Sequence, residues 1–563
     1  MAKAVSKVLR RATPLGLTPM ALSLAACGSG GEDSSSSSNN DIDVPSNGGG
    51  DEDTGSSSND TDAPTMGGED SSSSSNNDTD VPSTGGDDED TGSSSNDTDV
   101  PSTGDSEEDT GSSTDETVST LRIAVDPRQG DAFTMMNGFA SHDLNGDGLL
   151  ETVISFVSYS EFPELNWIVL QPNDQDVVDV TDTLFPNSIA SRHTRQWIFI
   201  DVDGDGDLDI IGGDVGMDAP PWTGGGVQIG INDNGVFTDI SSQLDPTLST
   251  VRSYAITAGD LDGDGAVEIL VPDSYNALGL GNNGVILELE GENTDLRVTA
   301  QVNPFAGDTN IFSNPSLLCA ADFDGNGTLD LYVAGNWVSP NHSVYFDGLF
   351  SSGRVELPAT VFGYYSGNWN DFTAEGGTGA DVNAVGIFDY DNDGLLDIVS
   401  ISEQVIYTGD GSSFQISYGN AAFQVIHQVA SQQFEEVEQI HSSSDLGFLY
   451  FANIQNFDFN DDGLMDFVAN YWEKADPVER SASSKTWGSK IFINLGEMQF
   501  IEVEPSGLPE WGAIIPVGRN STGDVLIQVL DPKIDGVSWE FDAYLDVSYL
   551  ALPVEEFSIA AIL

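Results

Sequence analysis

From about residue 120 onward, short apolar runs alternate with polar turns. Trp197-Ile198-Phe199-Ile200, Ile210-Ile211, Ile269-Leu270-Val271, Leu331-Tyr332-Val333 and Ile398-Val399 are rich in β-branched and aromatic residues and bounded by Gly, Asn and Asp. Such runs read as strands separated by turns. The order repeats: an apolar strand, an acidic turn, a second strand, a Gly/Asn-rich hairpin, then a third strand such as Val285-Ile286-Leu287 or Ile491-Phe492-Ile493.

The acidic turns are copies of one another. DLNGDGLLE begins at Asp143, DVDGDGDLD at Asp201, DLDGDGAVE at Asp260, DFDGNGTLD at Asp322, DYDNDGLLD at Asp389 and DFNDDGLMD at Asp458. Positions 1, 3 and 5 of each are Asp or Asn, position 6 is Gly and position 9 is Asp or Glu. This is the ligand pattern of a hard cation held by oxygen. The predicted ligands are Asp143, Asn145, Asp147 and Glu151; Asp201, Asp203, Asp205 and Asp209; Asp260, Asp262, Asp264 and Glu268. They continue with Asp322, Asp324, Asn326 and Asp330; Asp389, Asp391, Asp393 and Asp397; Asp458, Asn460, Asp462 and Asp466. Backbone carbonyls at position 7 (Leu149, Asp207, Ala266, Thr328, Leu395 and Leu464) complete each shell. An EF-hand would need its last acid at position 12 and helices on both sides. Here the acid falls at 9 between strands, so about six Ca2+ ions are expected in strand-to-strand turns, in a structural role.

The first Asp residues lie 58, 59, 62, 67 and 69 positions apart, which suits four-stranded blades repeated around an axis. About 97 residues follow the sixth turn, more than one blade needs. Ala513 to Val529 resembles the earlier units with its acids lost. With strands from Trp539 to Tyr549, it reads as a seventh, metal-free blade, closed by the early strand Leu121-Arg122-Ile123-Ala124-Val125. The expected fold is therefore an all-β propeller of about seven blades over residues 118–563. The repeats resemble the FG-GAP/VCBS type, the calcium-bearing units of integrin alpha-subunit propellers and of many secreted bacterial proteins. That resemblance implies calcium ligands in the six turns.

Residues 1–26 read as a secretory signal: Lys3, Lys7, Arg10 and Arg11 precede a modestly apolar stretch ending in Leu24-Ala25-Ala26-Cys27. This ending resembles the lipobox of bacterial lipoproteins, which implies a lipidated Cys27, with Gly28 favouring the outer membrane. Residues 27–117 read as a disordered tether, with 25 acidic residues and no Lys or Arg. GGEDSSSSSNN recurs from Gly30 at Gly67, and DEDTGSSSNDTD from Asp51 at Asp88, which suggests a duplicated spacer. Its reach is on the order of 50 Å.

The net charge of −76 argues against a nucleic-acid partner, and residues 118–563 keep 68 acids against 13 bases. Cys27 and Cys319 lie far apart in unlike contexts and build no Cys-rich zinc site. Aromatics after the second strands (Tyr159, Trp222, Tyr275, Trp337, Tyr471 and Trp472) either pack over their own blades as edge core or form a rim, facing away from the calcium turns, that could stack on sugars or anchor a protein. Blade five offers Ser402-Glu403-Gln404 there instead. A second aromatic patch, equally open to a core role, runs from Tyr364-Tyr365 to Trp369 and Phe372. No GxSxG, HExxH or nucleotide-loop motif occurs. The first functional reading is a binding or adhesion module for a glycan or protein. A calcium-dependent polysaccharide lyase, using His193 with Arg192 and Arg195, is the alternative. A purely structural surface protein is a third.

Overall fold

The apolar runs are continuous rather than alternating because both faces of the strands that carry them are covered. Side chains of a strand alternate between faces, and here successive residues enter different cores. Ile269 and Val271 pack with the blade before theirs, Leu270 with the blade after.

In the computed structural model, the described residues fall between 119 and 558. Within that span the segments 126–134, 158–163, 217–223, 245–250, 252, 273–284, 291–296, 303–314, 336–341, 347–352, 359–377, 409–414, 441–451, 475–484, 510 and 536–541 are not described. The described residues belong to one compact unit. Among them no helix is long and apolar enough to cross a membrane.

Seven four-stranded antiparallel sheets follow one another along the chain. Blade 1 comprises Met135–His142, Glu151–Val157, Ile168–Pro172 and Val177–Asp179. Blade 2 is built from Thr194–Ile200, Asp209–Asp214, Gly226–Asp233 and Val236–Asp239, and blade 3 from Thr257–Gly259, Val267–Val271, Val285–Glu290 and Arg297–Val302. Blade 4 holds Pro315–Ala321, Asp330–Gly335, His342–Phe346 and Gly353–Glu356; Cys319 is fully buried there. Thr378–Phe388, Asp397–Thr408, Gln415–Ala430 and Gln433–Ile440 form blade 5, and Ala452–Phe457, Asp466–Lys474, Lys485–Asn494 and Phe500–Val503 form blade 6. Blade 7 takes Ala513–Arg519, Val525–Asp535 and Asp542–Leu552 from the far end of the chain, and its fourth strand, Ser119–Val125, from before blade 1. The early strand thus closes the ring, as its sequence suggested. Across this seam Arg122 makes a two-pronged ion pair with Asp546, 2.6 and 2.7 Å.

Seven apolar clusters fill the seven gaps between neighbouring blades, the last joining blade 7 to blade 1 through residues such as Leu526, Val547, Phe139 and Ile154. Aromatic wedges set the spacing. Trp167 lies so close over Gly212 that a Cβ there would sit 2.7 Å from its ring, so blade 2 approaches blade 1 only because position 212 lacks a side chain.

Ser402-Glu403-Gln404 does not occupy a hairpin. The second strand of blade 5 continues through it to Thr408, with Ser402 and Glu403 buried. Tyr471 and Trp472 likewise lie within a strand, paired to Gly488 and Trp487. Tyr471 is buried against Gly488, whose missing side chain leaves room for its ring. Tyr159, Trp222, Tyr275, Trp337 and the patch from Tyr364 to Phe372 lie outside the described residues.

Candidate metal centres

Each acidic nonapeptide folds as a turn joining the first strand of its blade to the second. The turn reverses direction because position 6 adopts positive φ, from 84° to 98° at Gly148, Gly206, Gly265, Gly327, Gly394 and Gly463. Position 4 does the same, a requirement the sequence reading missed. Gly146, Gly204, Gly263 and Gly325 stand there in four blades, but Asn392 and Asp461, both at φ 59°, take the conformation in the others. Short polar side chains tolerate this region, which masks the pattern.

Two hydrogen bonds recur in every turn and aim the acids inward. The Oδ2 atom of position 1 accepts from the position-6 amide at 2.7 to 3.1 Å. The position-5 side chain accepts from the position-7 amide at 2.8 or 2.9 Å. The closing acid opens the second strand and accepts from the position-2 amide. Those six bonds are Leu144 to Glu151, Val202 to Asp209, Leu261 to Glu268, Phe323 to Asp330, Tyr390 to Asp397 and Phe459 to Asp466, at 2.7 to 3.0 Å. All six closing acids are buried.

The acids therefore converge. Asp201, Asp203 and Asp209 bring ligand atoms within 4.8 Å of one another, as do Asp260, Asp262 and Glu268, Asp322, Asp324 and Asp330, and Asp389, Asp391 and Asp397. In blades 1 and 6 the third position is Asn145 or Asn460. These amides donate to neighbouring carboxylates, Glu151 and Asp462.

Burial first, and then the neighbouring acids, push the closing carboxyls upward. Glu151 and Asp466 rise to about 8, and Asp209, Glu268 and Asp397 to about 7, against the partial relief of backbone N–H donors. A cation among these oxygens would offset both causes. The donors are all oxygen. Two of them, Glu268 Oε1 and Asp324 Oδ1, are buried with no hydrogen-bond partner. Oxygen donors, bent turns and orphaned buried acceptors together fit a hard divalent ion.

Blade 7 shows what such a turn becomes without the acids. Asn520 Oδ1 accepts from Thr522 and from the Asp524 amide, and Asp524 accepts from Asn520 and Thr522. These side-chain hydrogen bonds hold Asp524 below its usual range. The turn closes on its own hydrogen bonds.

The basic cluster of blade 2 is consumed by structure. His193 is 2 % exposed. Its backbone N–H and that of Arg192 donate to the buried Asp214, each at 2.8 Å. The Arg195 guanidinium lies over Tyr254, and Arg192 approaches Glu164.

Two inter-turn features were not legible in sequence. Asn232 donates to the position-2 carbonyl Leu144 of the preceding blade, and Asn494 donates likewise to Tyr390. Their backbone N–H groups also donate to the closing acids Asp209 and Asp466. His427, 36 residues beyond Asp391 in the chain, places Nε2 3.0 Å from Asp391 Oδ2.

Residues 143–212, from the first turn into the second strand of blade 2, match the family model of the FG-GAP-like repeat. A search of curated proteins returns no match. Solved structures with similarity include the exotype rhamnogalacturonan lyase YesX (13 % identity, 77 % of this chain and 76 % of that one, TM-score 0.35). Others are the rhamnogalacturonan lyase YesW (12 %, 77 % and 76 %, TM-score 0.32) and the Bombyx mori GH32 β-fructofuranosidase BmSUC1 (10 %, 76 % and 93 %, TM-score 0.30). By its sheets and by this match, the chain is a seven-bladed β-propeller carrying an FG-GAP-like repeat.

Proposed function

We propose that this propeller is calcium-loaded in six blades and works as a binding or adhesion module held at the cell envelope by lipidated Cys27. The observation that carries the calcium reading is the row of buried closing acids, raised toward neutrality and clustered with the acids of their own turns. Calcium here is structural: it cancels repulsion among carboxylates that the turns force together. The burial of His193 and the engagement of Arg192 and Arg195 in structural contacts favour binding over a lyase reaction at that cluster.

Incubating the calcium-loaded protein with a panel of polysaccharides tests the role, following both retention and unsaturated products. Saturable retention without products is expected; product release would replace the module with a lyase. The anchor is tested separately. Labelled palmitate should enter the protein in a bacterial host, and Cys27→Ser should abolish incorporation.

A further inference from the structure

Blade 5 departs from its neighbours at one position. His427, on the third strand Gln415–Ala430, stands one residue beyond the Ile398–Ile426 pair, level with the closing acid Asp397. The matching positions in blades 2 and 6 are the buried Ile231 and Ile493. At this position, blade 5 alone of these three carries a nitrogen ligand.

Asp391, Asp393 and His427 bring ligand atoms within 4.8 Å of one another. His427 Nε2 is buried and makes no hydrogen bond, although Asp391 Oδ2 is only 3.0 Å away. The two atoms lie side by side rather than aligned as donor and acceptor. Two ligands about 2.1 Å from one tetrahedral ion are about 3.4 Å apart, so this pair has only a few tenths of an ångström to open to share one. The rest of the His427 side chain is 22 % exposed, so the ring stands at the surface of the turn.

We propose that the turn of blade 5 is a mixed nitrogen–oxygen site for a first-row transition metal such as Zn2+, held by Asp391, Asp393 and His427. Imidazole suits zinc and its neighbours, whereas calcium takes oxygen. Asp391 and Asp393 are also predicted calcium ligands of this turn, Asp391 in the all-oxygen set with Asp389 and Asp397, so the transition metal takes this turn in place of calcium. The proposal rests on the reading that these turns bind cations, but its ligand is different and its readout is separate.

The untagged full chain is titrated with Co2+, as a coloured stand-in for Zn2+, in excess calcium. One equivalent should bind with visible d–d absorption and be displaced by Zn2+. His427→Ala should lose that equivalent, with calcium uptake in the absence of other metals unchanged. In the unaltered protein, Zn2+ should protect His427 from diethyl pyrocarbonate, read by peptide mass spectrometry; this arm does not depend on the variant folding. Absence of Co2+ binding in excess calcium, its retention in His427→Ala, or unprotected modification of His427 each overturns the proposal. Failure of the calcium reading would show instead as no calcium uptake by any turn, whatever Co2+ does.

Discussion

At the scale of single residues, the closing acid carries the greatest weight in each turn. Asp466 accepts from Phe459 and Asn494, both backbone N–H groups, while buried among Asp458 and Asp462. Asp466→Asn keeps one oxygen acceptor and removes the charge. It should lower calcium stoichiometry by one and the melting temperature strongly with calcium, but the metal-free melting temperature only slightly, through the one backbone N–H that the amide nitrogen cannot accept. Calorimetric titration and thermal scans check both halves; a large loss of metal-free stability would mean that the carboxylate is needed for reasons other than an ion. The acids were legible in sequence because turn chemistry is local. Asn232, Asn494 and His427 were not, because they meet the turns only through strand pairing 23 residues or more along the chain.

At the scale of elements, apolar runs located the strands but not their ends. Ile398-Val399 marked the second strand of blade 5, whereas its continuation through Ser400, Ser402 and Glu403 was hidden by polar residues that are nonetheless buried. Packing between blades, rather than composition, decides how far a strand runs. The closing strand Ser119–Val125 pairs with Asp542–Leu552 in seven registered positions and inserts Ile123 and Val125 into the core between blades 7 and 1. Removing residues 119–125 should destabilise the protein and expose a sheet edge. A melting temperature lowered by several degrees and new oligomers on size exclusion are expected; an unchanged monomer would show that three strands suffice for blade 7.

At the scale of the whole molecule, the blade count followed from spacing, and closure from one early strand with the same apolar pattern. Folding must bring together Arg122 and Asp546, 424 positions apart, so ring closure is a long-range and slow event. Charge sets the response to pH. Five closing carboxyls, Glu151, Asp209, Glu268, Asp397 and Asp466, are pushed up to about 7 or 8 in the fold against about 4 when unfolded. Folding without metal therefore takes up protons in this range, and stability falls as pH rises from about 4 to about 8. Chelated protein should melt lower at pH 8 than at pH 5, calcium should remove that slope, and calcium uptake near pH 7 should release protons; a chelator-insensitive melt at pH 8 would sink the structural role. The seam has a mechanical meaning as well. Any force applied ahead of residue 119 enters the ring through its closing strand, so seven residue pairs and the Arg122–Asp546 clasp set the load at which the propeller first opens.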